Sequence, residues 1–357
     1  MAGGKNKKRK KGIRYDRLFI MACVLGLIIW GIAHLFTSCF GETDKPAQTP
    51  EETKQTAAAT ETVMTTVTTA PEPIKPTQYT CGVNNILTPT EDIDIRAYEN
   101  VTLDSADIHK GLLILINAAN EFVFPEKYDP ALLAENNNGS FRVKDYTVFV
   151  DNLIVEPLNR MLSDYTAANS RNILVCSGYR TYDYQKYLYE NDLDATGLGY
   201  STLTALPGHS EHHSGFAVDF TIRTESGLTR TYDGTGNEKW INENCHKYGF
   251  IERYPADKAA VTGIDYEPWH FRYVGLPHSI AVMENGGCYE EYIEMLKQYE
   301  FGKKHLGIYA DGKVYEVYYM KAEEATTTLY VPTAESGREY VISGNNTDGF
   351  IVTVSVS

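Results

Sequence analysis

The chain has 357 residues, 43% apolar and 12% aromatic, enough for a packed core and more than one ordinary domain requires. Its formal net charge is −14, although Lys5, Lys7, Lys8, Arg9, Lys10, Lys11, Arg14 and Arg17 crowd its first 17 residues, so the remainder is more acidic still. An acidic body excludes nucleic acid as a partner, since neutralising phosphates needs a basic surface, and nothing in the sequence implies an obligate protein partner. None of the six cysteines forms a CxxC pair, which argues against a thiolate metal site.

Residues 1–17 read as a basic cytoplasmic segment. Residues 18–37 are apolar apart from an interior His34, and twenty residues at ~1.5 Å rise span roughly 30 Å, the thickness of a bilayer's hydrocarbon. The basic run should stay inside, which predicts a single-pass transmembrane anchor in the cell membrane with the body extracellular. A cleaved signal peptide and a lipoprotein modified at Cys39 are the alternatives. No A-x-A-like site follows the stretch, and bulky Phe36 suits a lipobox poorly, so an uncleaved anchor is favoured. All three place the body outside the cytoplasm. Residues 38–78, rich in Thr, Pro and Glu from 41 onward, cannot bury enough surface to offset ordering entropy and read as a disordered spacer.

From 79 to 302 the pattern is globular. Leu112–Ile116 is a short apolar run, expected as a buried strand or entry segment. Residues 151–169 carry Leu153, Ile154, Val155, Leu158, Met161, Leu162 and Tyr165 at helical period, with Pro157 inside. Asn172–Cys176 reads as a strand, Ser177–Arg180 as a turn and Thr181–Asn191 as a helix. Phe216–Phe220 and Phe271–Val274 read as strands, and Asn237–Tyr248 as a helix stopped by Gly249. The alternation predicts an α+β domain with a small antiparallel sheet and flanking helices. Residues 303–357 read as a small β module, with Asp311-Gly312 as a hairpin turn; a packing or spacing role is favoured over a binding one. Cys81, Cys176, Cys245 and Cys288 allow three disulfide pairings, and spacing does not choose among them.

Three segments carry the chemistry: Ser210–Asp219, Glu267-Pro268-Trp269-His270, and Ser177-Gly178-Tyr179-Arg180 with Gln185. A hydrolytic zinc site takes three protein ligands and leaves the fourth position to water. A nearby carboxylate must then take that water's proton. His212, Asp219 and His270 form a candidate ligand set, with Glu267 as the base.

The pattern Ser-x-His-x-x-Gly-x-Ala-x-Asp at 210–219, followed by Glu-Pro-Trp-His at 267–270, resembles the VanY-type D-alanyl-D-alanine carboxypeptidases. These belong to a wider group with the lysostaphin-type peptidases and the hedgehog N-terminal domain. Tyr248-Gly249-Phe250, Arg253-Tyr254-Pro255, Thr262-Gly263-Ile264 and His270–Gly275 extend the likeness, which runs from about His109 to Leu296. The resemblance implies Zn2+ held by His212, Asp219 and His270, with Glu267 as general base. It implies that Arg180 contacts substrate and stabilises the oxyanion, and that Gln185, Ser177 and Trp269 line the substrate pocket. In the register of Gly215, Ala217 and Asp219, His212 is the ligand, while His213 reads as exposed or as a neighbour of the ligand shell. A bracing role for Trp269 and a helix-capping role for Ser177 are the plainer readings.

The implied reaction removes the terminal D-alanine from peptidoglycan stem peptides. An L,D-carboxypeptidase acting on tetrapeptide stems uses closely similar motifs. A dead peptidase fold that binds the wall would lack a ligand or the base, and all four residues are present. Outward topology is testable directly: protease added to intact spheroplasts is expected to release the body by cutting within 41–78. Full protection of the body would overturn it.

Overall fold

The strand Ala217–Arg223 is apolar on nearly every inward position and nearly every residue of it is buried. It lies inside a sheet ordered Arg142–Val143, Ile173–Ser177, Ala217–Arg223, His270–Tyr273, Phe250–Glu252, with Thr229–Thr231 also paired to it. Pairing is antiparallel except between the short Arg142–Val143 strand and Ile173–Ser177. This computed structural model describes residues 85–90 and 93–356. The basic segment, the apolar stretch 18–37, the linker, and Cys23, Cys39 and Cys81 lie outside the described residues. Among the described residues no helix is long and apolar enough to cross a membrane.

One sheet face is closed by the helix Asn152–Ala168, whose Ile154, Leu158, Met161, Leu162 and Tyr165 are fully buried with Val175, Val218, Phe220, Ile222 and Phe271. Burying each such side chain contributes about 1.5–3 kcal/mol, so this face is committed to the core. Asp151 caps the helix by accepting from the Leu153 amide at 2.9 Å. Leu153, read as part of the apolar stripe, is instead 62% exposed. Pro157 lacks the donor for the Leu153 carbonyl, and the unmade bond falls on this solvent side. The next helix runs Tyr182–Thr196, longer than expected because no breaker precedes Gly197, which ends it at φ 67°. The predicted helix at 237–248 is a turn of 3-10 helix, the α-helix Lys239–Asn244 and a second 3-10 turn, stopped at Gly249 with φ 88°.

The β module is larger than the segment 303–357. Its five-stranded sheet is ordered Ile86–Thr90, His305–Ala310, Lys313–Lys321, Gly349–Ser355, Tyr340–Gly344, and Thr326–Pro332 pairs with Tyr98–Asp104. Residues N-terminal to the peptidase sheet thus complete the module. Asp311 and Gly312 form the expected hairpin turn, with φ 48° and 76°.

Leu113–Ile116 is buried and Leu112 partly so, but the run Leu112–Ile116 is not a strand. Its groups bond to loops and side chains: the Leu113 amide to Ser343 Oγ at 2.8 Å, the Leu115 amide to the Asn345 carbonyl at 3.1 Å, and the Leu112 and Ile114 carbonyls to the Arg272 guanidinium. An apolar run reports burial, and here the backbone finds partners without a ladder. Cys176, Cys245 and Cys288 are all free thiols.

His278 joins the helix His278–Asn285 to two other elements. Its Nδ1 meets the Tyr292 hydroxyl at 2.7 Å and its Nε2 the Thr353 hydroxyl at 2.8 Å. Burial lowers its pKa to about 3. In the unfolded chain the imidazole gains a proton below about 6.5, so the unfolded state binds more protons between those values and stability falls as pH drops through that window. His278→Gln removes this dependence. Urea unfolding should show the wild type losing about 2–3 kcal/mol more than the variant between pH 6.5 and 4.5. Equal losses would mean that His278 titrates alike in both states.

Candidate metal centre and catalytic cleft

Strand register builds the site. Asp219 lies opposite His270 on one neighbouring strand and opposite Ser177 on the other. The second pairing needs a bulge: Val175 faces Phe220, yet Ser177, not Cys176, faces Asp219. Side chains alternate faces along a strand. The extra residue therefore brings Ser177 level with Asp219 on the face opposite the core.

His212 arrives from a different element, the 3-10 turn Glu211–Ser214, which ends at Gly215 with φ 73°. A side chain at Gly215 would strike the Tyr128 hydroxyl, 2.1 Å from the ideal Cβ position. That hydroxyl donates to the Ser214 carbonyl at 2.9 Å and to Asp151 at 3.1 Å. The Arg180 amide donates to the His212 carbonyl at 3.0 Å. The turn is thereby pinned to both flanking segments.

His212, Asp219 and His270 are all buried, and each offers a ligand atom within 4.8 Å of the others. Asp219 Oδ2 lies 3.2 Å from His212 Nε2, and Oδ1 lies 3.0 Å from His270 Nδ1. The second nitrogen of each ring is also engaged. His212 Nδ1 meets the Gly178 carbonyl at 2.6 Å, and His270 Nε2 lies 3.4 Å from Glu211 Oε2. With the outer N–H directed to an oxygen, the inner nitrogen of each ring is free to bind a metal.

The electrostatics favour a cation. Burial works against a charge on His270, but Asp219 and Glu211 outweigh it and push its pKa up to about 9. His212 goes the other way, to about 4, through burial and the nearby Arg180. Burial disfavours ionised Asp219 too, yet the two imidazoles and Arg180 hold its carboxyl well below the usual range. Two imidazole nitrogens and one carboxylate oxygen suit zinc by donor type.

Glu267 lines one cavity with His212, Asp219 and His270, and lies 3.8 Å from His270 Nδ1. Burial, with Asp219 adding to it, raises its pKa to about 7, where a carboxylate can both take and return a proton. Arg180 donates to Asp219 Oδ2 at 2.7 Å and to Ser177 Oγ at 2.9 and 3.1 Å, and its Nη1 donates to Gln185 Oε1 at 3.3 Å. Gln185 is 1% exposed and donates to the Ala205 carbonyl at 2.8 Å. Gln185 and Ser177 thus hold the guanidinium. Thr181, not Ser177, caps the following helix, accepting from the Tyr184 amide at 3.2 Å. Trp269 lines the cavity and packs against the core, and its carbonyl accepts from the Phe220 amide at 3.0 Å. The cavity measures about 190 Å³.

His213, next to His212 in the chain, is fully buried. Its Nδ1 meets the Arg180 carbonyl at 2.8 Å, and its Nε2 accepts from the Gly208 amide at 3.0 Å. It braces the loop and takes no part in the ligand group, so the exposed reading is corrected.

Sequence reasoning passed over Glu211, a variable position in the motif. It is 1% exposed and accepts from Arg253 Nε at 2.8 Å and Arg272 Nη1 at 3.1 Å. Burial opposes its ionisation, but the two arginines prevail and keep it ionised. The available signal was Arg253 and Arg272 themselves, one just after the strand Phe250–Glu252 and one inside the strand His270–Tyr273, where a buried anion must answer them.

Residues 148–276 match the family model VanY, described as D-alanyl-D-alanine carboxypeptidase. A D-alanyl-D-alanine carboxypeptidase of Enterococcus faecium is 37% identical over 263 residues, spanning 71% of this chain and 78% of that protein. An enzyme of the same description from Enterococcus faecalis is 32% identical over 206 residues, 54% of this chain and 70% of that one. Among solved structures, the vancomycin-resistance D,D-dipeptidase VanXYg, in complex with a D-Ala-D-Ala phosphinate analogue, superposes with a TM-score of 0.64. It is 29% identical and aligns over 72% of this chain and 99% of its own.

Arg180 is held by a fork of contacts that a single ammonium cannot reproduce. Arg180→Lys is expected to lower kcat by about 10²–10³, the loss typical of a transition-state donor, with the thermal midpoint little changed. Near-normal turnover would reduce Arg180 to an ion-pair partner of Asp219.

Proposed function

Because the chain belongs to the VanY family of D-alanyl-D-alanine carboxypeptidases, we infer that it is a zinc-dependent D,D-carboxypeptidase that removes the terminal D-alanine from peptidoglycan stem peptides. One observation carries the reading: a single cavity gathers His212, Asp219, His270, Glu267, Arg180 and Gln185. Its roughly 190 Å³ suits one small terminal residue. A groove of about 1020 Å³ shares Arg180, Leu188 and Asp219 with it and offers room for the preceding part of a stem peptide.

His212 Nε2, an Asp219 oxygen and His270 Nδ1 would hold the metal. Zinc at such a site acts as a Lewis acid toward a carbonyl and makes a water more acidic. Glu267 takes the proton of the attacking water and returns it to the leaving amine of D-alanine. Arg180, fixed by Ser177 and Gln185, donates to the oxygen on which negative charge develops, at no cost of reorganisation during reaction. Burial of Glu267 and the ligands excludes bulk water, which strengthens each of these interactions. In the same reading, residues 18–37 anchor the body on the outer face of the membrane, and residues 38–78 let it reach the wall.

The experiment pairs substrate with metal. The full-length protein is incubated with synthetic pentapeptide and tetrapeptide stems, with and without chelator, and the products are identified by mass. Chelator-sensitive release of one D-alanine from the pentapeptide is expected; chelator-resistant release or cleavage of the tetrapeptide alone would overturn the assignment. Two variants divide the roles. Glu267→Gln should retain zinc while activity falls about 10²–10⁴, whereas His270→Ala should lose zinc and activity together. Elemental analysis finding the reverse would exchange base and ligand.

A further inference from the structure

Beneath the metal centre lies a buried cluster that the reaction itself does not use: Glu211, Arg253, Arg272 and Glu290. Glu211, Arg253 and Arg272 are at most 1% exposed. Arg253 reaches Glu290 through both terminal nitrogens, at 2.6 and 2.9 Å. Two acids face two bases, so the cluster is neutral as a whole.

Glu211 uses its oxygens differently. Oε1 accepts from both arginines, at 2.8 and 3.1 Å. Oε2 is turned to His270 Nε2 at 3.4 Å. An ionised carboxylate can only accept, so the hydrogen of the His270 ring is drawn to Nε2. Nδ1, 3.0 Å from Asp219 Oδ1, is then the ring nitrogen whose proton a metal would displace.

We propose that Glu211 is a positioning residue of the metal centre: its carboxylate, oriented by Arg253 and Arg272, fixes the His270 tautomer that binds zinc. The inference rests on the zinc-peptidase reading above. Glu211 is not itself among the residues that line the cavity, and it acts through His270, which is.

The isosteric change Glu211→Gln isolates this role. Both arginines are donors and demand the remaining oxygen, which turns the amide nitrogen toward His270. That nitrogen donates, so Nε2 must accept and the ring hydrogen moves to Nδ1, where it competes with the metal. Glu290→Gln is the control, since it removes the same charge from the same cluster and does not touch His270.

Zinc affinity of the full-length protein is measured by competition with a chromophoric chelator, beside thermal unfolding of the metal-free forms. Glu211→Gln is expected to weaken zinc binding about 10- to 100-fold, as loss of a ligand-orienting partner does, and Glu290→Gln to leave it unchanged. Unaltered zinc affinity in Glu211→Gln, or an equal loss in both variants, overturns the proposal. If Glu211→Gln does not fold, Glu211→Asp serves the same comparison: it keeps a charge for the arginines and draws the oxygen back from His270. A wild type that binds no zinc would instead refute the zinc reading, so the two failures are distinct.

Discussion

The site depends on one row of residues across three strands, Ser177, Asp219 and His270. Backbone pairing fixes the Cα positions of Asp219 and His270 before any side chain is placed. The same pairing commits the opposite face to Val175, Val218, Phe220 and Phe271, all in the core. A one-residue slip would send Asp219 into that core and bring an apolar side chain to the metal. Hydrophobic packing on one face thus enforces the register that the chemistry needs on the other. The bulge between Val175 and Ser177 is the local exception, and it supplies the hydroxyl that grips Arg180.

Charge is handled the same way. Buried ion pairs add little net stability, because desolvation offsets their attraction, while removing one partner of a buried pair costs about 3–5 kcal/mol. The cluster of Glu211, Arg253, Arg272 and Glu290 makes sense as a geometric device. Arg272 also binds the Leu112 and Ile114 carbonyls, and Asn117 donates to Glu290 at 3.2 Å. The irregular segment 112–117 is therefore held by the charges that support the metal centre.

Much of this was legible in the sequence. Residue type made the ligands and base candidates, the resemblance to the VanY-type enzymes singled them out, and the structure brings His212, Asp219 and His270 together. The helix at 151–169 showed in its period, and the strand at Asn172–Cys176 in its short apolar run. Three things did not show. Leu112–Ile116 is apolar because it is buried, and apolarity does not report whether the backbone joins a ladder. The bulge at Cys176 is a count of residues between two strands, which no single strand reveals. Strands Ile86–Thr90 and Tyr98–Asp104 belong to a module whose other strands lie some two hundred residues later, and local pattern carries no trace of such pairing.

That last pairing has a mechanical consequence. Ile86–Thr90 is an edge strand hydrogen-bonded to His305–Ala310, and Tyr98–Asp104 is zipped along Thr326–Pro332. Any pull applied through the residues before Ile86 enters the molecule at these ladders. Only these two strands of the β module precede Ser177, Asp219 and His270 along the chain. Tension entering at Ile86 would therefore load these backbone ladders before the strands that carry the catalytic register.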